Sequence, residues 1–266
     1  MDLHRAADLA ISLIREAGDF AVAERGAARI EAKGEGGDLV THVDREAERR
    51  IVAALRAQYP DHAVLGEEAG EQGAARSEYR WLIDPLDGTN NYVMGLDVYG
   101  VCLTLCHRDR PVMAVVHDSP RRRTIWAIEG GGAFSADAAP AADVARPRLG
   151  AADDLARTTV AFTQGYDVGH DDPRRNALFD VLERRTKRVL RSWAPSSDWG
   201  LLVTGGIGAV VAYRNEIWDL VGGALIATEA GAASWTSEDG DLVIVGRADA
   251  VEALRYLVEP SIRLGR

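Results

Sequence analysis

Hydrophobic residues recur every three or four positions at the start of the chain, and this spacing predicts two amphipathic helices before the first strand. The first helix is predicted from about residue 3 to residue 21, with Asp2 as its N-cap. The second is predicted over 44–59 and is stopped by Pro60. Between the two helices, the segment from Lys33 to Asp38 is too rich in glycine for a regular element, so we predict a mobile loop there.

Shorter apolar or alternating runs predict strands in the middle of the chain. The predicted strands are 62–66, 81–83, 99–107, 111–117 and 124–129, with a polar linker over 69–80. Charged turns separate the last three runs, which predicts an antiparallel meander. One of these turns contains three consecutive arginines, residues 121–123, which we interpret as a solvated loop rather than an anion site.

A glycine triplet followed by an Ala-, Pro- and Asp-rich segment over 135–147 predicts a boundary between two halves of the chain, 1–134 and 148–266. Beyond the boundary, strands and helices alternate, which predicts a sheet covered by helices. The strands are predicted over 158–162, 189–192, 209–213, 232–235 and 242–245, and the helices over 173–186, 197–205, 220–230 and 248–258.

Composition and charge narrow the class of protein. The 266 residues are 47% hydrophobic and 27% charged, as in an ordinary globular protein with a large core. A net charge of -10 argues against a nucleic-acid surface, which would need a basic face. The N-terminus has early charges and helical spacing, and no apolar run reaches membrane-spanning length, so we expect no membrane partner and a cytoplasmic location. Cys102 and Cys106 lie too far apart on one predicted strand to be bridged comfortably, which predicts reduced thiols.

Candidate chemistry lies where predicted strands end in acids. The strand over 81–83 runs into Asp84 and Asp87, and the proline between them can fix a turn that brings both carboxylates and the Leu86 carbonyl oxygen to one side. Three hard oxygens suit Mg²⁺. Behind them, Gly88 permits a close backbone approach, and Thr89 can open a short helix whose free N–H groups would hold a phosphate. The alternative is an Asp-Pro turn with ordinary capping residues.

The same pattern occurs at two other places in the chain. The strand over 62–66 ends in Glu67 and Glu68, and Asp219 stands at the N-terminal end of a helix rich in small residues. An aspartate at that position is also a good helix cap, so capping is the alternative for Asp219.

Together, the GEE, DPLDGTNN and WDLVGG segments, in this order and at these spacings, resemble the inositol monophosphatase family of magnesium-dependent, lithium-sensitive sugar phosphatases. The resemblance runs from about residue 5 to residue 250. It implies an α+β fold, the five-layered α-β-α-β-α sandwich of that family, assembled as a homodimer. It also implies two or three Mg²⁺ ions, with Mn²⁺ as a possible substitute.

The resemblance further implies a role for each matching residue. Glu67, Asp84 and the Leu86 carbonyl match ligands of a first metal ion, and Asp84, Asp87 and Asp219 those of a second. Glu67 would also contact a third ion through water. The remaining matches are Lys33 on the mobile loop and Asp44 with Thr89 as the pair that activates the attacking water. Independently of the family, the N–H groups of Gly88 and Thr89 at a helix start are expected to bind the phosphate.

Two departures from the family pattern concern the substrate pocket. The loop that lies near the sugar in inositol-phosphate enzymes contains Trp193 and Ser196 here, and Ala212 replaces a glutamate that binds sugar hydroxyls. Glu216 could partly replace this acid or could lie exposed on a loop. For the neighbouring residues, we expect Trp199 to pack in the core and Asp198 either to cap a helix or to contact substrate.

The sequence therefore predicts a magnesium-dependent phosphomonoesterase that hydrolyses a small phosphorylated alcohol by direct attack of a metal-activated water, with no covalent intermediate. The enzymatic alternatives are histidinol-phosphate phosphatase, to whose loop Trp193 is similar, and 3′(2′),5′-bisphosphate nucleotidase, for which no basic pocket is evident. The alternative of another class is an inactive relative that acts as a binding or regulatory protein.

Overall fold

The structure is a computed structural model that describes residues 1–33, 38–74, 76–137 and 144–263, with only the backbone of Asp38 and of residues 261–263. In the described part, two helices precede a seven-stranded sheet, and a five-stranded sheet follows. The helices are α1 Leu3–Ala23, α2 His42–Gln58, α3 Thr89–Met94, α4 Pro173–Arg185, α5 Pro195–Val203, α6 Ile217–Glu229 and α7 Ala248–Arg263. The strands are β1 Ile30–Lys33, β2 Asp38–Thr41, β3 Ala63–Gly66, β4 Gly70–Gly73, β5 Tyr79–Asp87, β6 Gly100–His107, β7 Arg110–Asp118, β8 Arg123–Ile128, β9 Gly132–Asp137, β10 Thr159–Gln164, β11 Arg188–Leu190, β12 Ala209–Tyr213, β13 Ala233–Thr236 and β14 Leu242–Gly246.

These elements stack in five layers, which confirms the predicted α+β sandwich. Helices α1 and α2 cover one face of the large sheet through a core that includes Ile14, Ile51 and Leu103. The opposite face packs on α5 and α6, which also contact the small sheet through a second core around Trp199. Helices α4 and α7 cover the outer face of the small sheet. The order of layers is therefore α1 and α2, large sheet, α5 and α6, small sheet, α4 and α7.

Sheet order explains where the site forms. The large sheet runs β4-β3-β5-β6-β7-β8-β9, and the small one runs β11-β10-β12-β14-β13. Strand β5 pairs in parallel with β3 and antiparallel with β6, so it is central and buried on both faces. The register between β5 and β6 is irregular between Asp84 and Asp87. This irregularity ends the regular ladder where the two acids stand.

Several predicted element boundaries are corrected by the structure. Helix α2 begins at His42 because Thr41 and Asp44 form a reciprocal capping box. Helices α5 and α6 begin at Pro195 and Ile217, which places Asp219 inside the first turn of α6 rather than before it. The ends of the predicted mobile loop, Lys33 and Asp38, are paired residues of strands β1 and β2, and residues 34–37 between them lie outside the described residues.

Some short strands were not predicted from the hydrophobic pattern. Strand β4 falls in the predicted polar linker, and β9 lies at the predicted boundary between the halves. Neither has a run of apolar residues long enough to predict a strand. The antiparallel meander is confirmed by the pairing of β6, β7 and β8. Cys102 and Cys106 are buried free thiols, as predicted, and no helix in the described part of the chain is long and apolar enough to cross a membrane.

Helix α6 approaches the large sheet closely because it carries small residues on that side. A Cβ atom on Gly222 would collide with the Thr104 side chain of β6, and one on Gly223 would collide with the indole of Trp199. The Trp199 Nε1–H donates a 2.8 Å hydrogen bond to the Asp219 carbonyl oxygen. The tight packing therefore fixes the first turn of α6, and Asp219 with it, against the end of β5 and β6.

His117 on β7 is a buried histidine that the fold keeps neutral. Arg15 Nε donates to Thr124 Oγ1 at 2.9 Å, and this hydroxyl oxygen lies 3.0 Å from His117 Nδ1. The Nε2 atom of His117 is buried and has no hydrogen-bond partner. Burial, reinforced by the charges of Arg15 and Arg122, lowers the His117 pKa to about 4.

We predict that His117 makes the fold less stable in mild acid. The unfolded chain binds a proton at His117 below about pH 6.5 and the folded chain does not until about pH 4, so stability is lost as the pH falls between these values. A His117→Gln variant keeps an acceptor but cannot take up a proton. Between about pH 7.5 and about pH 5.5, urea unfolding of the parent should lose about 1 kcal/mol more than the variant does. Equal losses would contradict a depressed His117 pKa.

Candidate metal and phosphate site

The carboxylates at the end of β5 are held by backbone donors on one side and left open on the other. Asp84 Oδ1 accepts a hydrogen bond from the Leu86 N–H at 3.1 Å, and Asp87 Oδ2 accepts one from the Ser196 N–H at 2.6 Å. Asp84 is fully buried, and its Oδ2 has no hydrogen-bond partner. The turn through Pro85 therefore directs both acids inward, with one oxygen of Asp84 unsatisfied.

Asp219 meets these acids from the other half of the chain. It is 7% exposed, and its Oδ1 has no hydrogen-bond partner. The N-cap position of α6 is Glu216, whose side chain makes no capping hydrogen bond. Ligand atoms of Asp84, Asp87 and Asp219 all lie within 4.8 Å of one another. Asp219 is therefore a member of an acidic cluster and does not cap the helix.

Burial and mutual repulsion make these acids hard to ionise. Burial raises the pKa of Asp84 well above its usual range, and the charges of Glu67, Asp87 and Asp219 raise it further. The Asp219 pKa is raised in the same way, and the Asp87 pKa rises to about 7 despite the hydrogen bond from Ser196. Without a compensating cation, the cluster is unstable in its charged form.

Glu67 approaches the cluster from the turn after β3. Its Oε1 accepts hydrogen bonds from Lys33 Nζ at 2.7 Å and from the Tyr166 hydroxyl at 3.1 Å. Burial raises the Glu67 pKa, and the ion pair with Lys33 opposes this effect. Lys33 Nζ also lies 2.6 Å from Glu68 Oε1. Lys33 thus joins β1 to the acidic turn, and the ammonium group partly neutralises it.

Glu48 on α2 holds the backbone of this acidic turn in place. Its carboxylate accepts the N–H groups of Glu68 and Ala69 at 2.9 and 2.8 Å, and burial raises its pKa. A side chain at Gly66 would collide with the Glu48 carboxylate, so only glycine permits the approach. Glu48 was not identified from the sequence, because its position within a helix is that of any charged helix residue.

Asp44 and Thr89 form a hydrogen-bonded pair next to the acids. Asp44 Oδ2 accepts from the Thr41 N–H at 2.9 Å and from Thr41 Oγ1 at 2.6 Å, so the carboxylate is fixed. Thr89 Oγ1 lies 2.8 Å from Asp44 Oδ1 and 2.9 Å from the Leu86 carbonyl oxygen. One hydroxyl proton serves only one acceptor, and donation to Asp44 leaves the Leu86 carbonyl free for another ligand. Burial raises the Asp44 pKa to about 6.

A cavity of about 270 Å³ is lined by half of the predicted site residues. Its walls are Lys33, Leu39, Glu67, Asp87, Gly88, Thr89, Asn90, Thr163, Gln164, Tyr166, Trp193, Pro195 and Asp219. Gly88 adopts a φ of 84°, and a Cβ atom there would lie 2.9 Å from the Ala194 Cβ and from the Val98 carbonyl oxygen. Only glycine fits this approach of the α3 N-terminus to the loop before α5.

A larger cavity of about 600 Å³ shares Trp193 with the first as a lining residue. Its walls include Met94, Leu96, Val98, Leu190, Arg191, Ser196 and Leu201. Trp193 lines both cavities, is 51% exposed and has a φ of 55°, in the left-handed region that bulky residues rarely adopt. The predicted pocket residues Trp193 and Ser196 therefore lie beside the acidic cluster.

Two predicted pocket residues are not brought to either cavity. Ala212 is 2% exposed within β12, the central strand of the small sheet, and Glu216 precedes α6 without lining the described cavities. Asp198 neither caps α5 nor lines these cavities; it is buried within that helix, and both its side-chain oxygens lack hydrogen-bond partners. Trp199 is 1% exposed, as expected of a core residue.

Tyr166 and Gln164 are cavity residues that the sequence analysis missed. Gln164 is the last residue of β10, and Tyr166 lies two residues after it in the sequence Gln-Gly-Tyr-Asp. A polar group at the end of a predicted strand was the signal that identified Glu67 and Asp84, and it was present here as well. It was not used because neither residue is acidic.

The donor set fits a divalent cation. Carboxylate and carbonyl oxygens are hard ligands, and the orphaned oxygens of Asp84 and Asp219 are buried beside one another without a proton donor. Carboxylates in such proximity raise one another's pKa unless a cation neutralises them. The ions would be held by Asp84, Asp87, Asp219, Glu67 and the Leu86 carbonyl. The chain is therefore a layered α+β protein whose acidic site fits a divalent-metal centre.

Comparisons with known proteins agree with this class. Residues 2–260 match the model of the inositol monophosphatase family. The Nus factor SuhB of Pseudomonas aeruginosa is 32% identical over 235 residues, which cover 85% of this chain and 84% of that protein. A fructose-1,6-bisphosphatase/inositol-1-monophosphatase of Aquifex aeolicus is 30% identical over 207 residues, covering 76% and 73%. The chain therefore belongs to the inositol monophosphatase family.

Solved structures confirm the fold. The Thermotoga maritima IMPase has a TM-score of 0.83 at 24% identity, with 100% of both chains covered. An IMPase/NADP phosphatase complexed with Mg²⁺ and phosphate has a TM-score of 0.74 at 21% identity, with 91% of this chain and 90% of that chain covered. The layered sandwich is thus the fold of this family, and a member of the fold binds a divalent cation together with phosphate.

We predict that Asp219→Asn stabilises the metal-free protein and weakens its response to Mg²⁺. Removing one of the repelling carboxylates should raise the melting temperature in EDTA, whereas the parent should gain more stability than the variant when Mg²⁺ is added. Asp198→Asn is the matched control, because it also removes a buried acid with unpartnered oxygens. Thermal unfolding with and without Mg²⁺ measures both effects. An unchanged Mg²⁺ response in Asp219→Asn would contradict metal binding at this cluster.

Proposed function

We propose that this chain is a divalent-metal-dependent phosphomonoesterase that hydrolyses a small phosphorylated alcohol by direct attack of water. The proposal rests on the meeting of Asp84, Asp87 and Asp219 at a cavity that Thr89 also lines, with the Thr89 hydroxyl hydrogen-bonded to Asp44. Membership of the inositol monophosphatase family supports it. Mg²⁺ is the proposed ion, in two or three copies.

The phosphate group would lie between the acids and the start of α3. Bound divalent ions would supply positive charge for the phosphate oxygens, for the attacking water and for the leaving ester oxygen. The N–H groups of Gly88 and Thr89 at the wall of the cavity would donate to the phosphate. Lys33 faces the same cavity and, once divalent ions neutralise Glu67, would be free to turn toward the phosphate.

Thr89 and Asp44 would carry the proton of the attacking water. As the water oxygen bonds to phosphorus, its proton passes to Thr89 Oγ1, and the threonine proton passes to Asp44 Oδ1 at 2.8 Å. The bond between phosphorus and the ester oxygen then breaks, and the leaving oxygen takes up a proton from solvent to give the alcohol. With a pKa of about 6, Asp44 is ionised at neutral pH and ready to accept the proton.

For the substrate, we propose a class, small phosphorylated alcohols, and not a single compound. Ala212, at the position of the family's polyol-binding glutamate, lies inside the small sheet and offers no carboxylate to sugar hydroxyls. Trp193 instead lines the cavity and offers an amphipathic aromatic ring. This arrangement favours an alcohol other than free inositol. Inositol 1-phosphate, histidinol phosphate and an adenosine bisphosphate, assayed for phosphate release with and without Mg²⁺, distinguish the enzymatic alternatives.

A protein-binding role is the rival of another class, because one relative is named as a Nus factor. An assay of phosphate release separates the enzymatic role from the protein-binding role. No release from any ester with Mg²⁺ or Mn²⁺ present would refute the enzymatic proposal.

We predict that Asp87→Asn or Asp219→Asn lowers kcat for phosphate release by at least about a hundredfold, because each removes a charged metal ligand. Each variant should keep the circular dichroism spectrum of the parent. The Asp198→Asn protein should retain activity, since Asp198 lies outside the described cavities. The assignment fails if either ligand variant turns over normally at limiting Mg²⁺.

We also predict that the proton relay requires a hydroxyl group at position 89. Thr89→Val keeps the shape of the side chain but removes the hydroxyl, and it should lower kcat by about a hundredfold or more. Thr89→Ser keeps a hydroxyl within reach of Asp44 and should retain most of the activity. Single-turnover rates measure the chemical step directly. Equal rates for the Val and Ser variants would exclude the relay.

A further inference from the structure

Tyr166 connects the two sheets at the acidic cavity. Its side chain is 53% exposed, yet its hydroxyl donates a 3.1 Å hydrogen bond to Oε1 of Glu67, whose side chain is 9% exposed. Tyr166 follows β10 of the small sheet, whereas Glu67 follows β3 of the large sheet. The bond therefore joins the two halves of the chain at the proposed metal centre.

The turn that carries Tyr166 is held by the neighbouring strand. The Gly165 N–H donates to the Tyr213 carbonyl oxygen at 3.0 Å. A Cβ atom at Gly165 would lie 1.9 Å from the Arg214 carbonyl oxygen, so only glycine permits this approach. The backbone before Tyr166 is thus fixed against the end of β12, and it directs the tyrosine ring into the wall of the acidic cavity.

The Glu67 side chain depends on two donors for its orientation. The Glu67 backbone is fixed, because its N–H donates to the Ile83 carbonyl oxygen at 3.1 Å. In the described ranges, the donors that reach Glu67 Oε1 from outside the acidic cluster are Lys33 Nζ at 2.7 Å and the Tyr166 hydroxyl. A glutamate side chain has several rotatable bonds, and fixing it costs conformational entropy. These two hydrogen bonds therefore determine where the carboxylate points.

The two donors differ in charge, which gives them opposite relations to a bound cation. The Lys33 ammonium group lies 2.7 Å from Glu67 Oε1 and 2.6 Å from Glu68 Oε1. A divalent ion would neutralise the same acidic turn, so Lys33 and the ion compete. The Tyr166 hydroxyl is neutral, so it orients the carboxylate and leaves the negative charge available to the ion. Hydrogen bonds of this kind to a ligating carboxylate support metal affinity.

The geometry points to Tyr166 as a positioning residue that holds the Glu67 carboxylate in the orientation required to bind a divalent ion, while Lys33 supplies a competing positive charge at the same oxygen. This inference rests on the proposed metal-dependent phosphatase function, and it assigns control of metal affinity to the turn after β10. Tyr166 takes no proton in the reaction and acts through Glu67.

Calorimetric titration of the metal-free protein with Mg²⁺ alone tests this assignment. Tyr166→Phe keeps the ring but removes the hydroxyl, and it should raise the dissociation constant for Mg²⁺ about tenfold. Lys33→Met removes the competing charge and should lower that constant at least about threefold. The opposite signs separate positioning from a general disturbance of the cavity, which would weaken Mg²⁺ binding in both variants.

Tyr256→Phe is the matched control for the loss of a tyrosine hydroxyl. Tyr256 lies on α7, is 68% exposed and lines neither of the described cavities. Its replacement should change the dissociation constant for Mg²⁺ less than about twofold. A double-mutant cycle then shows whether Tyr166 acts through Glu67. In a Glu67→Ala background, Tyr166→Phe should also change the constant less than about twofold.

The Mg²⁺ dependence of phosphate release gives a second readout. In Tyr166→Phe, the Mg²⁺ concentration for half-maximal rate should rise about tenfold, whereas kcat at saturating Mg²⁺ should fall less than about threefold. A larger fall in kcat with unchanged Mg²⁺ affinity would overturn the inference in favour of a substrate contact by Tyr166. Tighter Mg²⁺ binding in Tyr166→Phe would also overturn it, because the hydroxyl would then compete with the ion.

Metal binding and hydrolysis can fail independently. If the parent binds Mg²⁺ but hydrolyses no ester, the phosphatase proposal fails, and the titrations alone decide on the role of Tyr166. If the parent binds no Mg²⁺, the metal centre and the role of Tyr166 are both overturned. If the parent is active and Tyr166→Phe binds Mg²⁺ with the same affinity, only the role of Tyr166 is overturned.

Discussion

Repulsion among the buried carboxylates of Asp84, Asp87 and Asp219 is the constraint on which this structure depends. Two elements distant in sequence, β5 and α6, must hold these groups within 4.8 Å of one another, although each carboxylate would be more stable in water or paired with a cation. Backbone N–H groups of Leu86 and Ser196 satisfy part of the cluster. Asp84 Oδ2 and Asp219 Oδ1 have no protein donor. The fold therefore carries a local destabilisation that a bound divalent ion would remove, and this links the stability of the protein to its function.

Much of this arrangement could be predicted because the acids stand at the ends of strands and at the start of a helix, where local sequence signals are strong. Asp84, Asp87 and Thr89 belong to one turn, and their proximity follows from chain geometry. The meeting with Asp219 does not follow from local pattern, because it depends on the packing of α6 between the two sheets; the family resemblance supplied it. Gln164 and Tyr166 carried the same strand-end signal at β10, but it was not used because neither residue is acidic, and Glu48 was missed because it lies within a helix like any other charged residue. The homodimer and the cytoplasmic location remain predictions.

The segment that carries Trp193 and the start of α5 also positions a residue of the acidic cluster. Asn91 Nδ2 donates to the Ser192 carbonyl oxygen at 2.7 Å and to the Val98 carbonyl oxygen at 2.9 Å, which ties the loop to α3. These bonds help to offset the unfavourable left-handed φ of Trp193. Ser196 lies four residues after Ser192, and its N–H donates to Asp87 Oδ2 at 2.6 Å. One short segment, residues 192–196, therefore holds both the strained backbone of Trp193 and the backbone donor to Asp87.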